Sequence, residues 1–205
     1  MLYRETVSTQ LLGLLKRLMG IDELTRLRLV GGTALALQIG HRNSVDIDLF
    51  GKHDMDENTI AGLLQVFKPL KRLGGSRSIQ VFLINDIKVD FVNYPYPWLQ
   101  PPVVEEGIRM ASIEDIAAMK IAAITQRGSR KDFIDLYFLL QRFELAEILK
   151  FYKKKMTDGN EWLALRSMSY FDDADQQPSP AMFQDIEWLE IKTYISKAVE
   201  AYGGY

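Results

Sequence analysis

The chain has 205 residues, 47% of them hydrophobic and 25% charged, a balance that suits one large or two small globular domains with a real core. The absence of cysteine excludes a disulfide scaffold, thiolate metal sites and a cysteine nucleophile. A net charge of −2 argues against a generally basic nucleic-acid coat but leaves a local patch open. No leader-like start or membrane-length apolar run is present, so a soluble cytoplasmic protein is expected.

Residues 4–19 space Val7, Leu11, Leu14, Leu15 and Leu18 as one face of a packing helix. A short helical turn at residue 22 leads to an apolar strand at 27–30, which stops at Gly31-Gly32. Thr33 is the expected N-cap of a short helix over 34–39, closed by Gly40. Glycines before a helix N-terminus offer N–H groups able to hold phosphate. The loop His41-Arg42-Asn43-Ser44 then feeds a strand in which Ile47 and Leu49 face one way and Asp46 and Asp48 the other. Two carboxylates two residues apart on one strand face suit Mg²⁺, a hard cation that takes oxygen ligands and lets substrate phosphates complete its shell.

A helix is predicted at 57–67, resuming over 69–73. Residues 78–84 and 87–94 alternate as a hairpin turning at Asn85-Asp86, with Asp90 opposite the apolar face. Residues 94–102 hold four of the seven prolines and read as the connection between two parts of the chain. An edge of sheet is expected over 103–110. The remainder is helical, with segments predicted at 112–126, 129–143, 144–156, 161–170 and 184–202, and with 172–180 a loop. Ser112 and Ser129 are the expected caps of the first two of these.

The run Gly31-Gly32-Thr33, helix, His41-Arg42-x-Ser44 and Asp46-x-Asp48-Leu49-Phe50 resembles the nucleotidyltransferase signature of the AbiEii/AbiGii toxin family, which shares the polymerase-β-like fold. Lys120-x-x-Ala123-x-x-x-Arg127 followed by Lys131-Asp132-x-x-Asp135 resembles the second signature of the same family. The fold this implies is α+β. A small mixed sheet with flanking helices over residues 1–100 precedes a helical domain over 101–205 that completes a nucleotide cleft.

The resemblance also implies a Mg²⁺- or Mn²⁺-dependent transfer of a nucleoside monophosphate from an NTP to an acceptor, tRNA or another RNA, by one partner of a toxin–antitoxin or phage-defence pair. Asp46, Asp48 and Asp90 would be the metal ligands and, with Lys120, the catalytic set. Gly31, Gly32 and Thr33 would cradle the β- and γ-phosphates, with Arg42 and Ser44 reaching phosphate or bracing their loop. Lys120, Arg127 and Lys131 would clamp the nucleotide, and Asp132 would orient one of them or touch base or ribose. A cognate antitoxin protein is the implied partner, and no membrane is involved.

Other readings stay open on the residues. The glycine pair is also an ordinary turn, and the helical cations suit a solvated face with Lys131 paired to Asp135. Lys153-Lys154-Lys155 suits an RNA backbone or mere solubility, and Tyr94, Tyr96 and Trp98 suit base stacking or packing of the joint. A non-catalytic NTP-binding module and a small-molecule nucleotidyltransferase of the antibiotic-modifying kind are the rival functions.

Overall fold

The alternation at 47–50 and 87–92 is realised in two neighbouring strands at the middle of a seven-stranded mixed sheet. The computed structural model describes residues 1–203. In chain order its elements begin with α1 (Thr9–Met19), β1 (Arg28–Leu29), α2 (Gly31–Ile39), β2 (Ile47–Gly51) and α3 (Glu57–Leu63). Strands β3 (Leu70–Gly75), β4 (Ile79–Ile84), β5 (Ile87–Asn93), β6 (Val103–Glu105) and β7 (Ile108–Met110) follow. Helices α4 (Ile113–Gln126), α5 (Arg130–Leu140), α6 (Leu145–Lys155), α7 (Glu161–Met168), α8 (Asp172–Asp175) and α9 (Trp188–Gly203) complete the chain.

The sheet order is β3-β4-β5-β2-β1-β7-β6. Strands β2 and β5 are parallel, which requires the intervening α3, β3 and β4 to cross over, whereas β3–β4 and β4–β5 are antiparallel hairpin pairs. The β4–β5 turn takes positive φ at Asn85 and Asp86, as a two-residue hairpin of that type demands. One face of the sheet is core: Ile47, Leu49, Phe82, Ile84, Val89 and Phe91 are all buried. Helix α1 is capped by Ser8 Oγ, which accepts from the Leu11 N–H at 3.0 Å. Its last turn is held by Arg109, which donates to the Met19 carbonyl at 3.0 Å and to the Leu24 carbonyl at 3.2 Å.

The chain divides into a sheet unit, residues 1–96 and 101–111, and a helical unit, residues 97–100 and the chain from Ser112 on. Strands β6 and β7 therefore lie in the sheet unit, beyond the boundary that composition suggests at residue 100. In the helical unit Ser112 caps α4, its Oγ accepting from the Asp115 N–H at 3.1 Å. Asp115 is fully buried and accepts from the N–H of Leu99 at 2.9 Å and from Lys155 Nζ at 2.7 Å. Lys155, also buried, donates to the Pro97 carbonyl at 2.8 Å and sits 4.3 Å from the Trp98 ring centroid. One ion pair thus straps residues 97–100 onto the helices.

Four local expectations are corrected. Residues 69–73 do not resume a helix: Leu70–Gly75 is a strand, because Pro69 brings no N–H, Gly74 and Gly75 are poor helix formers, and β4 offers a ladder. Thr33 is not an N-cap; α2 starts at Gly31 with Val30 before it. Residues 172–175 form a short helix rather than loop, and the last helix begins at Trp188 rather than near 184.

Candidate active site

The glycine pair brings two charged side chains against the first turn of α2. Gly31 has φ +67°, and a Cβ there would lie 2.5 Å from Asp48 Oδ2. A Cβ at Gly32 would run into Arg42 Nη2 and approach Ser44 Oγ at 3.4 Å. The positive φ favours glycine at 31, and a side chain at 32 would have to displace the buried Arg42 guanidinium. Arg42 is buried, and its Nη1 donates to the Asn43 carbonyl at 2.9 Å, which ties the loop to the guanidinium that packs on Gly32.

Thr33, freed from a capping role, donates its hydroxyl to the Asp46 carbonyl, and its Oγ1 lies 2.8 Å from Ser44 Oγ, whose hydroxyl is the donor of that pair. The Ser44 N–H in turn donates to the Thr6 carbonyl at 2.8 Å. The hydroxyl pair thus fixes the approach to β2 and the backbone of Asp46. Asp46 immediately precedes β2, and Asp48 lies within it.

Asp48 and Asp90 are register partners on parallel β2 and β5, so their side chains stand side by side on the face opposite the core. Lys88, two residues earlier on the same face, donates to Asp90 Oδ2 at 2.6 Å. Lys88 belongs to neither signature, and its i, i+2 spacing from Asp90 on one strand face is the signal in the sequence that marks it. Asp90 Oδ1 is buried and accepts no hydrogen bond among the described residues. A buried carboxylate oxygen left in that state is costly unless a cation or donor meets it. Among the described residues no group of three or more His, Cys, Asp or Glu side chains is arranged as a metal cage. Carboxylate oxygens are the donors that a hard cation takes.

The second signature is gathered inside the helical unit. Lys120 Nζ lies 2.8 Å from Asp132 Oδ1 and 2.6 Å from Asp135 Oδ2, and all three side chains are buried. Arg127 donates from Nε to Asp132 Oδ2 at 2.8 Å and from Nη2 to Oδ1 at 3.2 Å, and Ser129 Oγ donates to Oδ2 at 2.6 Å. Burial alone would push the Asp132 carboxyl up, but the Lys120 charge and the Arg127 fork outweigh it and hold it well below the usual range. The Arg127 side chain nevertheless remains 65% exposed. Lys131 is exposed.

Of the lysine run, Lys153 pairs with Glu161 and Lys155 is consumed by Asp115, which leaves Lys154 facing solvent. Tyr94 packs between Phe50 and Tyr96, with ring centroids 5.4 and 5.2 Å away, and Trp98 lies against Lys155. These aromatics are packing groups.

Residues 13–200 match the family model described as nucleotidyl transferase AbiEii toxin, type IV TA system. The uncharacterized protein aq_aa25 of Aquifex aeolicus is 36% identical over 182 residues, which is 85% of this chain and 86% of that protein. Among solved structures, JHP933 from Helicobacter pylori matches with a TM-score of 0.57 at 19% identity, covering 97% of this chain and 95% of that one. MenT4, a nucleotidyltransferase toxin of Mycobacterium tuberculosis H37Rv, matches with a TM-score of 0.57 at 14% identity, covering 85% and 74%. At such identities the structural likenesses speak to the fold.

Proposed function

Because the chain belongs to the AbiEii nucleotidyl transferase toxin family, a family of nucleotidyltransferases, we propose that it transfers a nucleoside monophosphate from an NTP to the hydroxyl of an RNA acceptor, tRNA being the first to test. The observation that carries this reading is the register pairing of Asp48 with Asp90 beside the Gly31-Gly32 turn.

In the reaction the acceptor oxygen forms a bond to the α-phosphorus, the α–β anhydride bond breaks, and pyrophosphate leaves. Asp46, Asp48 and Asp90 would hold Mg²⁺ or Mn²⁺, which when bound offsets the negative charge gathering on the attacking and leaving oxygens. Asp90 Oδ1, buried and without a hydrogen-bond donor, takes the proton from the acceptor hydroxyl. Lys88 holds the other oxygen of that carboxylate and so fixes its direction.

The N–H groups of Gly31, Gly32 and Thr33 open α2 with no side-chain cap on Val30, and they bind the β- and γ-phosphates. Arg42, Ser44 and the Thr33 hydroxyl are positioning groups that keep loop, turn and Asp46 in register. In the helical unit Arg127 and Lys131 present the second signature's exposed cations. Lys120 and Asp132 act through Arg127, fixing its fork from beneath.

Among the described residues no helix is long and apolar enough to cross a membrane, and the reaction belongs in the cytoplasm, where NTP and tRNA are. A cognate antitoxin protein that limits the activity completes the proposal. The test is incubation with each α-³²P-labelled NTP, Mg²⁺ and bacterial RNA, beside Asp48→Asn. Label entering RNA with the wild type alone supports the reading. Transfer to no RNA despite NTP binding removes the acceptor, and absence of NTP binding removes the site.

A further inference from the structure

The face of the sheet that carries Asp48 and Asp90 continues outward across β4 to the edge strand β3, and that wing is built unlike the rest of the chain. Cross-strand partners share a face. Asp90 pairs with Val81 and Val81 with Gly74; Lys88 pairs with Leu83 and Leu83 with Lys71; Val92 pairs with Ile79. Val81, Leu83 and Val92 are only half-buried, and Ile79 is 42% exposed, whereas the reverse face of the same strands is core.

Around this apolar shelf the charge is one-sided. From residue 58 to residue 85 there is no Asp or Glu, but there are four cations, Lys68, Lys71, Arg72 and Arg77, in a chain whose net charge is −2. Arg72 turns to the other face and pairs with Glu57 at 2.7 Å. Lys68, Lys71 and Arg77 are exposed and make no ion pair or side-chain hydrogen bond among the described residues. Asp86, at the β4–β5 turn, is the acidic side chain that ends the stretch.

We propose that this wing is the platform for the acceptor: a polyribonucleotide strand lies across β5, β4 and β3 with its reactive hydroxyl at Asp90. Its phosphates meet Lys71, Arg77 and Lys68, and its bases rest on Val81, Leu83 and Ile79. The inference rests on the nucleotidyl-transfer reading and adds where the acceptor binds. Strands lie about 4.8 Å apart, so β3 is about 10 Å from β5, a span that a short stretch of RNA bridges. Unpaired cations flanking an apolar surface next to the reacting carboxylate are complementary to a phosphodiester backbone with exposed bases. A bare edge strand also carries lysine to prevent strand pairing. Charge reversal separates the two roles, because a glutamate protects an edge as well as a lysine does.

The experiment compares wild type, Lys71→Glu/Arg77→Glu and, on the helical unit, Lys150→Glu/Lys154→Glu, with bulk bacterial tRNA and a fluorescein-labelled single-stranded oligoribonucleotide as probes. For Lys71→Glu/Arg77→Glu the expected result is a KM for RNA raised about tenfold or more and a shallower salt dependence of RNA binding. The KM for NTP and the melting temperature should stay at wild-type values, and Lys150→Glu/Lys154→Glu should behave as wild type. An unchanged KM for RNA in the Lys71→Glu/Arg77→Glu protein, while label still enters RNA, overturns the platform and leaves nucleotidyl transfer standing. A loss in the Lys150→Glu/Lys154→Glu protein instead, or a change confined to NTP affinity or melting, overturns it too. Wild-type protein that transfers label to a protein or small molecule and not to RNA removes the acceptor class and the platform together.

Discussion

Asp48 and Gly31 are in mutual contact by design of the backbone: the Asp48 carboxylate occupies the space that a side chain at residue 31 would need. The glycine pair is therefore more than an ordinary turn. It is the recess into which a strand carboxylate and the Arg42 guanidinium settle, and the helix N-terminus is aligned with the acidic strand by that packing.

Replacing Gly31 by alanine both forces a β-carbon onto Asp48 Oδ2 and imposes a left-handed φ on it, at a backbone cost of roughly 1–2 kcal/mol. The expected outcome is loss of nucleotidyl transfer with a lowered urea midpoint. Gly62→Ala is the control. A Cβ there meets nothing within 4 Å in α3, and the change should stabilise by roughly 0.5–1 kcal/mol.

Asp90→Asn keeps the shape of the side chain but removes its proton-accepting charge. Transfer should fall by a factor on the order of 10²–10⁴, with NTP binding by the glycine turn retained when measured by equilibrium dialysis. Lys88→Met leaves Asp90 in place without its 2.6 Å partner. Its kcat should fall less than that of Asp90→Asn, and Lys88→Arg should restore part of it.

The Lys120 cluster makes a pH prediction. The Asp132 carboxyl is held below its ordinary value of about 3.9, so its contribution to stability is fully present above that pH. It is lost as pH falls toward the depressed folded-state value. Urea unfolding followed from pH 5 down to pH 2 should show stability declining once the pH passes below about 4, and Asp132→Asn should flatten that decline. Lys120→Met removes the buried ammonium that Asp132 and Asp135 share, leaving Asp132 with Arg127 and Ser129, and should cost about 3–5 kcal/mol at pH 7.

Lys155→Met removes the buried partner of Asp115 and the donor to the Pro97 carbonyl. A loss of about 3–5 kcal/mol is expected, together with faster proteolytic cleavage at residues 97–100. Combined with Asp115→Asn the loss should be less than the sum of the two, the mark of one shared interaction.

The mixed sheet and the helical C-terminal part were readable from local pattern, because period-two alternation at 87–92 and the turn pair Asn85-Asp86 act over a few residues. The failures were also local in origin. Residues 70–75 look helix-compatible until β4 is available to pair with them, and Thr33 looks like a cap until Ser44 and the Asp46 carbonyl compete for its hydroxyl. Lys153, Lys154 and Lys155 look equivalent in sequence, yet Lys155 is entirely buried.

By itself the sequence determined that Asp48 and Asp90 sit on strands opposite the apolar side, and that a glycine pair stands at the start of a short helix, since these follow from side-chain alternation and backbone torsion. Only the tertiary structure decided that β2 and β5 are parallel neighbours with Asp48 level with Asp90. It alone also decided which cations are spent internally, as Lys155 is on a carboxylate 40 residues away. The reason is physical. Periodicity reports which way a side chain faces, but strand adjacency and the pairing of a buried charge are set by contacts between segments that no local spacing encodes.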